Sequence, residues 1–196
     1  MSLREQKTAK KKEDILRTAI RVLSEKGYHG TTMEEIASKL LMTKGSVYYY
    51  FRDKQDLLYQ SQIMLLERSL KNIEQVRKLD LPVIEKLRKA VVVHIEYLLS
   101  ERSGFELMMQ PEHIFTTEQL KQILRLRDDY GKNFDQLILI GIEANLFHTV
   151  DVKIVRNIIL GAMNWVTQWY SAEGKMSDTE IAESISNYLL RILTWK

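Results

Sequence analysis

Between Thr32 and Lys54 the chain gathers hydroxyls and cations: Thr32, Thr43, Ser46, Tyr48 and Tyr49 offer O–H donors, and Lys44 and Lys54 offer charge at the edges. Such groups bind phosphate oxygens and so hold a protein in register on a nucleic-acid duplex. Gly45 keeps one face free of bulk where backbone could approach a duplex. The same residues also admit a structural reading, in which the threonines only cap helices and the tyrosines only pack a small domain. Charge bears on the choice. Residues 1–55 carry 12 Lys and Arg against 7 Asp and Glu, whereas the remaining 141 carry 17 against 19. A basic front segment suits a polyanion, although Lys7, Lys10, Lys11 and Lys12 alone supply four of those cations, as a solvated tail would.

Other chemistry finds little footing. With no cysteine, thiolate metal sites, disulfides and cysteine nucleophiles are excluded. The histidines at 29, 94, 113 and 148 show no HExxH or other ligand spacing, and no glycine-rich phosphate loop or nucleophile elbow is present. Asp128 and Asp129 are adjacent, so on a helix they point in different directions and make poor partners for acid/base work. No catalytic residue, cofactor or metal is expected. The 196 residues are 45% apolar and 28% charged, enough to bury a core without staples. No apolar run approaches the ~20 residues that cross a bilayer, and residues 1–12 lack the apolar core of a secretion signal. The expectation is a soluble cytoplasmic protein with no membrane partner.

Helical periodicity dominates. Ile15, Leu16, Ala19, Val22 and Leu23 recur on one face of a helix that should end near Gly27. Thr32 with Glu35 forms a capping box before a short helix from Met33 to about Leu40. Thr43 caps another through Tyr50, and Asp53 a long one from Lys54 to about Val76. Further helices are expected from Leu81 to Ser100, from Gly104 to Gln110 before Pro111, and from a Thr116–Gln119 capping box toward Asn145. Two more follow, one from Asp151 to Ser171 and one from a Ser177–Glu180 box to Trp195.

The two short helices joined at Leu41 and Met42 make a helix-turn-helix, whose second helix would enter the major groove. The stretch from Ile15 to Leu58 carries Gly27, Tyr28, Thr31, Thr32, Ile36, Ala37, Thr43, Lys44, Gly45, Ser46, Val47, Tyr48, Tyr49, Tyr50, Phe51, Lys54 and Leu57, and it resembles the DNA-binding domain of TetR-type transcriptional regulators. The resemblance implies an all-α fold with an N-terminal three-helix helix-turn-helix domain over 1–53. A C-terminal effector-binding and dimerisation bundle would cover 54–196. It implies a homodimeric repressor that binds a pseudo-palindromic operator in double-stranded DNA and is released by a small apolar or amphipathic effector. Phosphate contacts are implied for Thr32, Tyr48, Tyr49 and Lys54, and groove contacts for Thr43, Lys44, Gly45, Ser46 and Tyr50; Ile36 and Phe51 fall in its core. One departure stands out, since the family often has Gly in the turn where this chain has Leu41, and a leucine with positive φ is strained.

The rear region is too apolar on its last two helices for one-sided surface helices, and two copies packing as a four-helix bundle would bury the excess. Ile158, Ile181, Ile185, Tyr188, Leu189 and Ile192 are the expected dimer interface. For an effector, His94, Tyr97, Phe105, Met108, Met109, Phe134, Trp165 and Trp169 are candidates, with Phe115, Leu137, Asn133, Asn164 and Gln168 beside them. Such Met and aromatic stripes also read as ordinary core. The run from Ile159 to Tyr170 resembles the matching helix of TetR-type regulators of fatty-acid and acyl-CoA metabolism. The resemblance leaves two effector classes open, acyl-CoA or fatty-acid-derived molecules and hydrophobic drug-like ones.

Overall fold

A computed structural model describes residues 2–107 and 114–194, and every regular element among them is a helix. In chain order they are α1 (Leu3–Gly30), α2 (Met33–Lys39), α3 (Lys44–Tyr48), α4 (Lys54–Arg77), α5 (Val83–Ser100), α6 (Arg102–Leu107), α7 (Thr117–Glu143), α8 (Val152–Trp169) and α9 (Asp178–Thr194). The all-α expectation is met. The expected helix end at Gln110 before Pro111, and the one at Trp195, lie outside the described residues. So do the effector candidates Met108 and Met109.

The chain divides into two compact units, one of Met1–Leu65 with Ser103–Ile123 and one of Leu66–Arg102 with Leu124–Lys196. The packing boundary thus differs from the one placed at residue 53, because the first half of α4 and the segment around α6 belong with the front helices.

In the first unit α1 buries Ile15, Ala19 and Leu23 completely, α2 buries Ile36, α3 Val47 and α4 Leu57 and Leu58. Each of the Ile, Leu and Val side chains contributes about 1.5 to 3 kcal/mol by leaving water. Gly27 interrupts α1 as expected, with φ +73° and ψ 167°, but this is a kink that only a residue without Cβ adopts freely, and one more turn follows. The Thr31 hydroxyl then donates to the Gly27 carbonyl at 2.9 Å.

α2 ends in a full Schellman motif: Leu41 N–H donates to Ser38 O at 3.0 Å and Met42 N–H to Ala37 O at 2.9 Å. The motif demands a left-handed residue, and Leu41 takes that place with φ +54°. Asn145, at φ +57°, ends α7 in the same way, with Asn145 N–H on Ile142 O and Leu146 N–H on Gly141 O.

In the second unit α5 packs against α8 and α9 through Leu87, Ala90, Val91, Ile95 and Leu98, all nearly inaccessible to water. Capping boxes start α7 and α9 as the sequence predicts: Gln119 N–H donates to Thr116 Oγ1 at 3.3 Å, and Glu180 N–H to Ser177 Oγ at 3.3 Å. The ring of Phe147 lies so close to Gly141 that a Cβ there would sit 2.0 Å from its Cδ2.

Candidate nucleic-acid interface

α3 is five residues long and owes its position to one buried side chain. Val47 is fully enclosed, while Lys44, Gly45, Tyr48 and Tyr49 face water, Tyr49 at 78% exposure. The helix is started by Thr43, whose Oγ1 accepts from Ser46 N–H at 3.1 Å and meets Ser46 Oγ at 2.8 Å. It stops at Tyr48 rather than running to Tyr50. Tyr49 and Tyr50 instead stack edge to face, centroids 5.0 Å apart, and Phe51 turns inward at 1% exposure. Met42, Thr43, Gly45, Ser46, Tyr49 and Tyr50 border an open groove of about 480 Å3. A Cβ added to Gly45 would meet nothing closer than Thr43 Oγ1 at 3.9 Å. Packing therefore does not require this glycine.

The charges around α3 are organised by two acids, Glu34 and Glu35, of which the sequence marks Glu35 only as a helix cap. Glu34, at the start of α2, pairs with Lys44, and Glu35 pairs with Lys26 of α1. The bond from Lys44 holds the Glu34 carboxyl below its ordinary value and raises Lys44 in turn; the bond from Lys26 does the same to Glu35. Thr32 Oγ1 caps α2 by accepting from Glu35 N–H at 3.2 Å and stays exposed. The i to i+10 spacing of Glu34 and Lys44 is visible in the sequence only once the turn between α2 and α3 is known.

Lys54 has a different set of partners from the one expected. Its ammonium donates to the carbonyls of Tyr28 and Thr31, the latter at 2.7 Å, and lies 4.4 Å from the centroid of the Tyr28 ring. A cation in the first turn of α4 is unfavourable for that helix, but here the carbonyls that follow the α1 kink neutralise it. Lys54 is thus a clip between α1 and α4, with one N–H left over.

The rear candidates separate in space. His94 is buried; its Nδ1 lies 2.6 Å from the Tyr130 hydroxyl and its Nε2 3.1 Å from Asn164 Oδ1. His94, Tyr97 and Tyr130 border a cavity of about 10 Å3 together with Ser69, Asn72 and Ile73. Phe134 is fully buried beside Tyr130, ring centroids 5.6 Å apart. Trp165 and Trp169, in contrast, are surface residues at 64% and 52% exposure, so they do not line that cavity. Phe105 belongs to the first compact unit and His94 to the second.

Of the expected dimer residues, Ile181 and Leu189 are only 7% exposed and serve the chain's own core. Ile185 is half-buried, while Ile158, Tyr188 and Ile192 face outward. On α8, Ile154, Ile158, Trp165 and Trp169 are all exposed and fall within about 60° of one another around the helix.

Among the described residues no helix is long and apolar enough to cross a membrane, and no cluster of three metal-ligating side chains occurs.

Comparison with known proteins gives two family matches. The model described as bacterial regulatory proteins, tetR family, matches residues 15–60, and the one described as tetracyclin repressor-like, C-terminal domain, matches residues 80–193. The fatty acid metabolism regulator protein of Bacillus subtilis is 23% identical over 181 residues, covering 90% of this chain and 92% of that protein. A crystal structure of the TetR family transcriptional regulator PfmR from Thermus thermophilus superposes with a TM-score of 0.83 at 26% identity, covering 90% of this chain and 97% of that one. The fatty acid degradation regulator FadR from Bacillus halodurans superposes with a TM-score of 0.75 at 27% identity, covering 92% and 94%.

Proposed function

The chain belongs to the TetR family and is a DNA-binding transcriptional regulator, and from that premise we propose that it is a homodimeric repressor released by an acyl-CoA or fatty-acid-derived effector. The observation that carries the reading is α3 itself, a surface helix whose one buried side chain is Val47, with Lys44, Gly45 and Tyr48 exposed and Ser46 half-buried. Thr43, Lys44, Gly45, Ser46 and Tyr50 face the bases. Thr32, Tyr48, Tyr49 and the remaining N–H of Lys54 hold phosphates.

Two reading helices must stand about 34 to 36 Å apart, or a multiple of that, to meet successive grooves. The exposed stripe of Ile154, Ile158, Trp165 and Trp169 on α8, with Ile185, Tyr188 and Ile192 on α9, supports pairing with a second copy. The likeness to two regulators named for fatty-acid metabolism supports the effector class. His94, Tyr97 and Tyr130 are the polar groups beside which it binds; the cavity they border, about 10 Å3, holds no more than a water, so the effector enters only by parting the surrounding helices, and it favours the dimer state whose α3 spacing mismatches the grooves. A coupling of about 1 to 3 kcal/mol lowers operator affinity about 5- to 150-fold.

The test is to select duplexes from a random-sequence pool and measure their binding by anisotropy against salt and against a series of acyl-CoA chains. A pseudo-palindromic consensus, a steep salt dependence and release by acyl-CoA are expected. Binding that is insensitive to salt or to sequence would overturn the regulator reading of α3, and binding indifferent to every acyl-CoA would overturn the effector.

A further inference from the structure

α1 begins at Leu3, twelve residues before its first buried side chain, Ile15. Residues 2–10 are exposed and Lys11 and Lys12 half-buried, so nothing in the core holds this part of the helix. A capping box holds it instead: Ser2 N–H donates to Glu5 Oε2 at 2.7 Å, and Glu5 N–H to Ser2 Oγ at 3.3 Å. At 100° per residue Arg4, Lys7, Lys10 and Lys11 fall within an arc of about 120°, and Arg4 to Lys11 spans about 10 Å of axis. Glu5 and Glu13 lie off that arc, and Glu13 pairs with Arg17; Asp14 falls on it, one turn beyond Lys10 and Lys11. Among the described residues none of the four cations has an acidic partner. The helix dipole disfavours a cation in the first turn, where Arg4 stands, and fades beyond it.

The basic arc is tied to the reading helix. Lys12 Nζ lies 5.5 Å from the centroid of the Phe51 ring, three residues beyond the end of α3. At residue 12, therefore, α1 passes beside the segment that follows α3, within one compact unit, and the arc lies at least about 80° round the helix from Lys12. We propose that the free N-terminal part of α1 is a second duplex-binding element, in which Arg4, Lys7, Lys10 and Lys11 bind backbone phosphates flanking the site that α3 reads. The inference rests on α3 being the reading helix.

The experiment uses the full chain and a duplex selected from a random pool by the wild-type protein. The duplex is prepared at two lengths, one trimmed to the footprint of α3 and one extended by about half a turn of helix at each end. The triple variant Lys7→Gln/Lys10→Gln/Lys11→Gln removes three charges with side chains that favour helix about equally. The dimer loses six charges, so on the extended duplex its salt slope is expected to be shallower by about 5.4, and wild-type affinity falls roughly 1,800-fold more than the variant's between 50 and 200 mM salt. On the trimmed duplex the two proteins should be alike, and the Lys→Arg triple should keep the wild-type slope on both.

Equal slopes on the extended duplex would overturn the proposal, as would an equal loss on both lengths, which marks diffuse charge. A triple variant that binds both duplexes normally but no longer binds vesicles of phosphatidylcholine and phosphatidylglycerol would assign the arc to a membrane surface and overturn it as well. Failure of the α3 reading appears separately, as wild-type binding that does not prefer the selected duplex over a random-sequence one.

Discussion

Lys44 and Glu34 form an ion pair that joins the first turn of α3 to the first turn of α2. Both groups are exposed, so the pair adds little to folding, and its consequence lies in binding. While Glu34 holds Lys44, one cation of the reading face is neutralised, and a duplex must either compete for it or leave it in place. Glu34→Gln should raise affinity for a random-sequence duplex more than for the selected one and, with two copies per dimer, steepen the salt dependence by up to about two units. Anisotropy titrations over a salt series measure both. An unchanged slope would show that Lys44 leaves Glu34 on DNA in the wild type too. Lys44→Ala should alter which sequence is preferred, because a lysine that reaches a guanine edge discriminates; equal losses on all sequences would assign it to phosphate.

Gly45 separates folding from function. Its Cβ position is open and its backbone is helical, so Gly45→Ala should stabilise the chain by about 0.4 to 1 kcal/mol through loss of freedom in the unfolded state. The added methyl would stand where backbone approaches the duplex, and affinity should fall by at least about tenfold, the equivalent of 1.4 kcal/mol. Urea unfolding and anisotropy on the same variant check the pair of outcomes. A stabilised protein with undiminished affinity would remove Gly45 from the interface.

Most of the helices were legible because their starts are written in side chains: Thr43, Thr116, Asp151 and Ser177 each cap the helix expected of them. The exposure of α3 was legible for a related reason, since only Val47 among its five residues is aliphatic. What escaped depends on contacts far apart in sequence. Periodicity placed Ile181, Ile185, Tyr188, Leu189 and Ile192 on one apolar side of α9, but that side is wider than one neighbour can cover. Only packing against α5 shows that Ile181 and Leu189 turn inward while Tyr188 and Ile192 do not. Lys54 presents the same difficulty. Its misfit with the helix dipole is visible in the sequence, but its resolution by the carbonyls of Tyr28 and Thr31 depends on the kink at Gly27.

Leu41 occupies the left-handed position of the Schellman motif at φ +54°, and its side chain is 96% exposed. A Cβ in that conformation costs about 1 to 2 kcal/mol, and glycine gives back about 0.5 to 1 kcal/mol of this through its freer unfolded chain. Leu41→Gly should therefore stabilise the protein by about 0.5 to 1 kcal/mol, seen as a higher urea midpoint with unchanged slope. Since the turn keeps its geometry, operator affinity should stay within about twofold, a change of about 0.4 kcal/mol. A lower midpoint would mean that the exposed leucine makes contacts the strain argument omits.

His94 makes folding sensitive to acid. With Nε2–H donating to Asn164 Oδ1 at 3.1 Å, Nδ1 is left to accept from the Tyr130 hydroxyl at 2.6 Å, which is the neutral tautomer. Burial lowers its pKa from 6.5 to about 4, outweighing the Asn164 bond that acts the other way. Between those two values the unfolded chain binds a proton at this ring and the folded chain does not, so the contribution is complete above pH 6.5 and shrinks as the pH falls. The full loss is about 3 kcal/mol, reached near pH 4, below which the folded ring titrates as well. His94→Gln cannot titrate, so acidic groups elsewhere cancel when its stability is subtracted from that of the wild type. Urea unfolding of both proteins at pH 7, 6, 5 and 4.5 should show the wild-type advantage decline steadily toward acid. A difference that stays constant across this range would mean that the ring is already open to water or charged in the folded state.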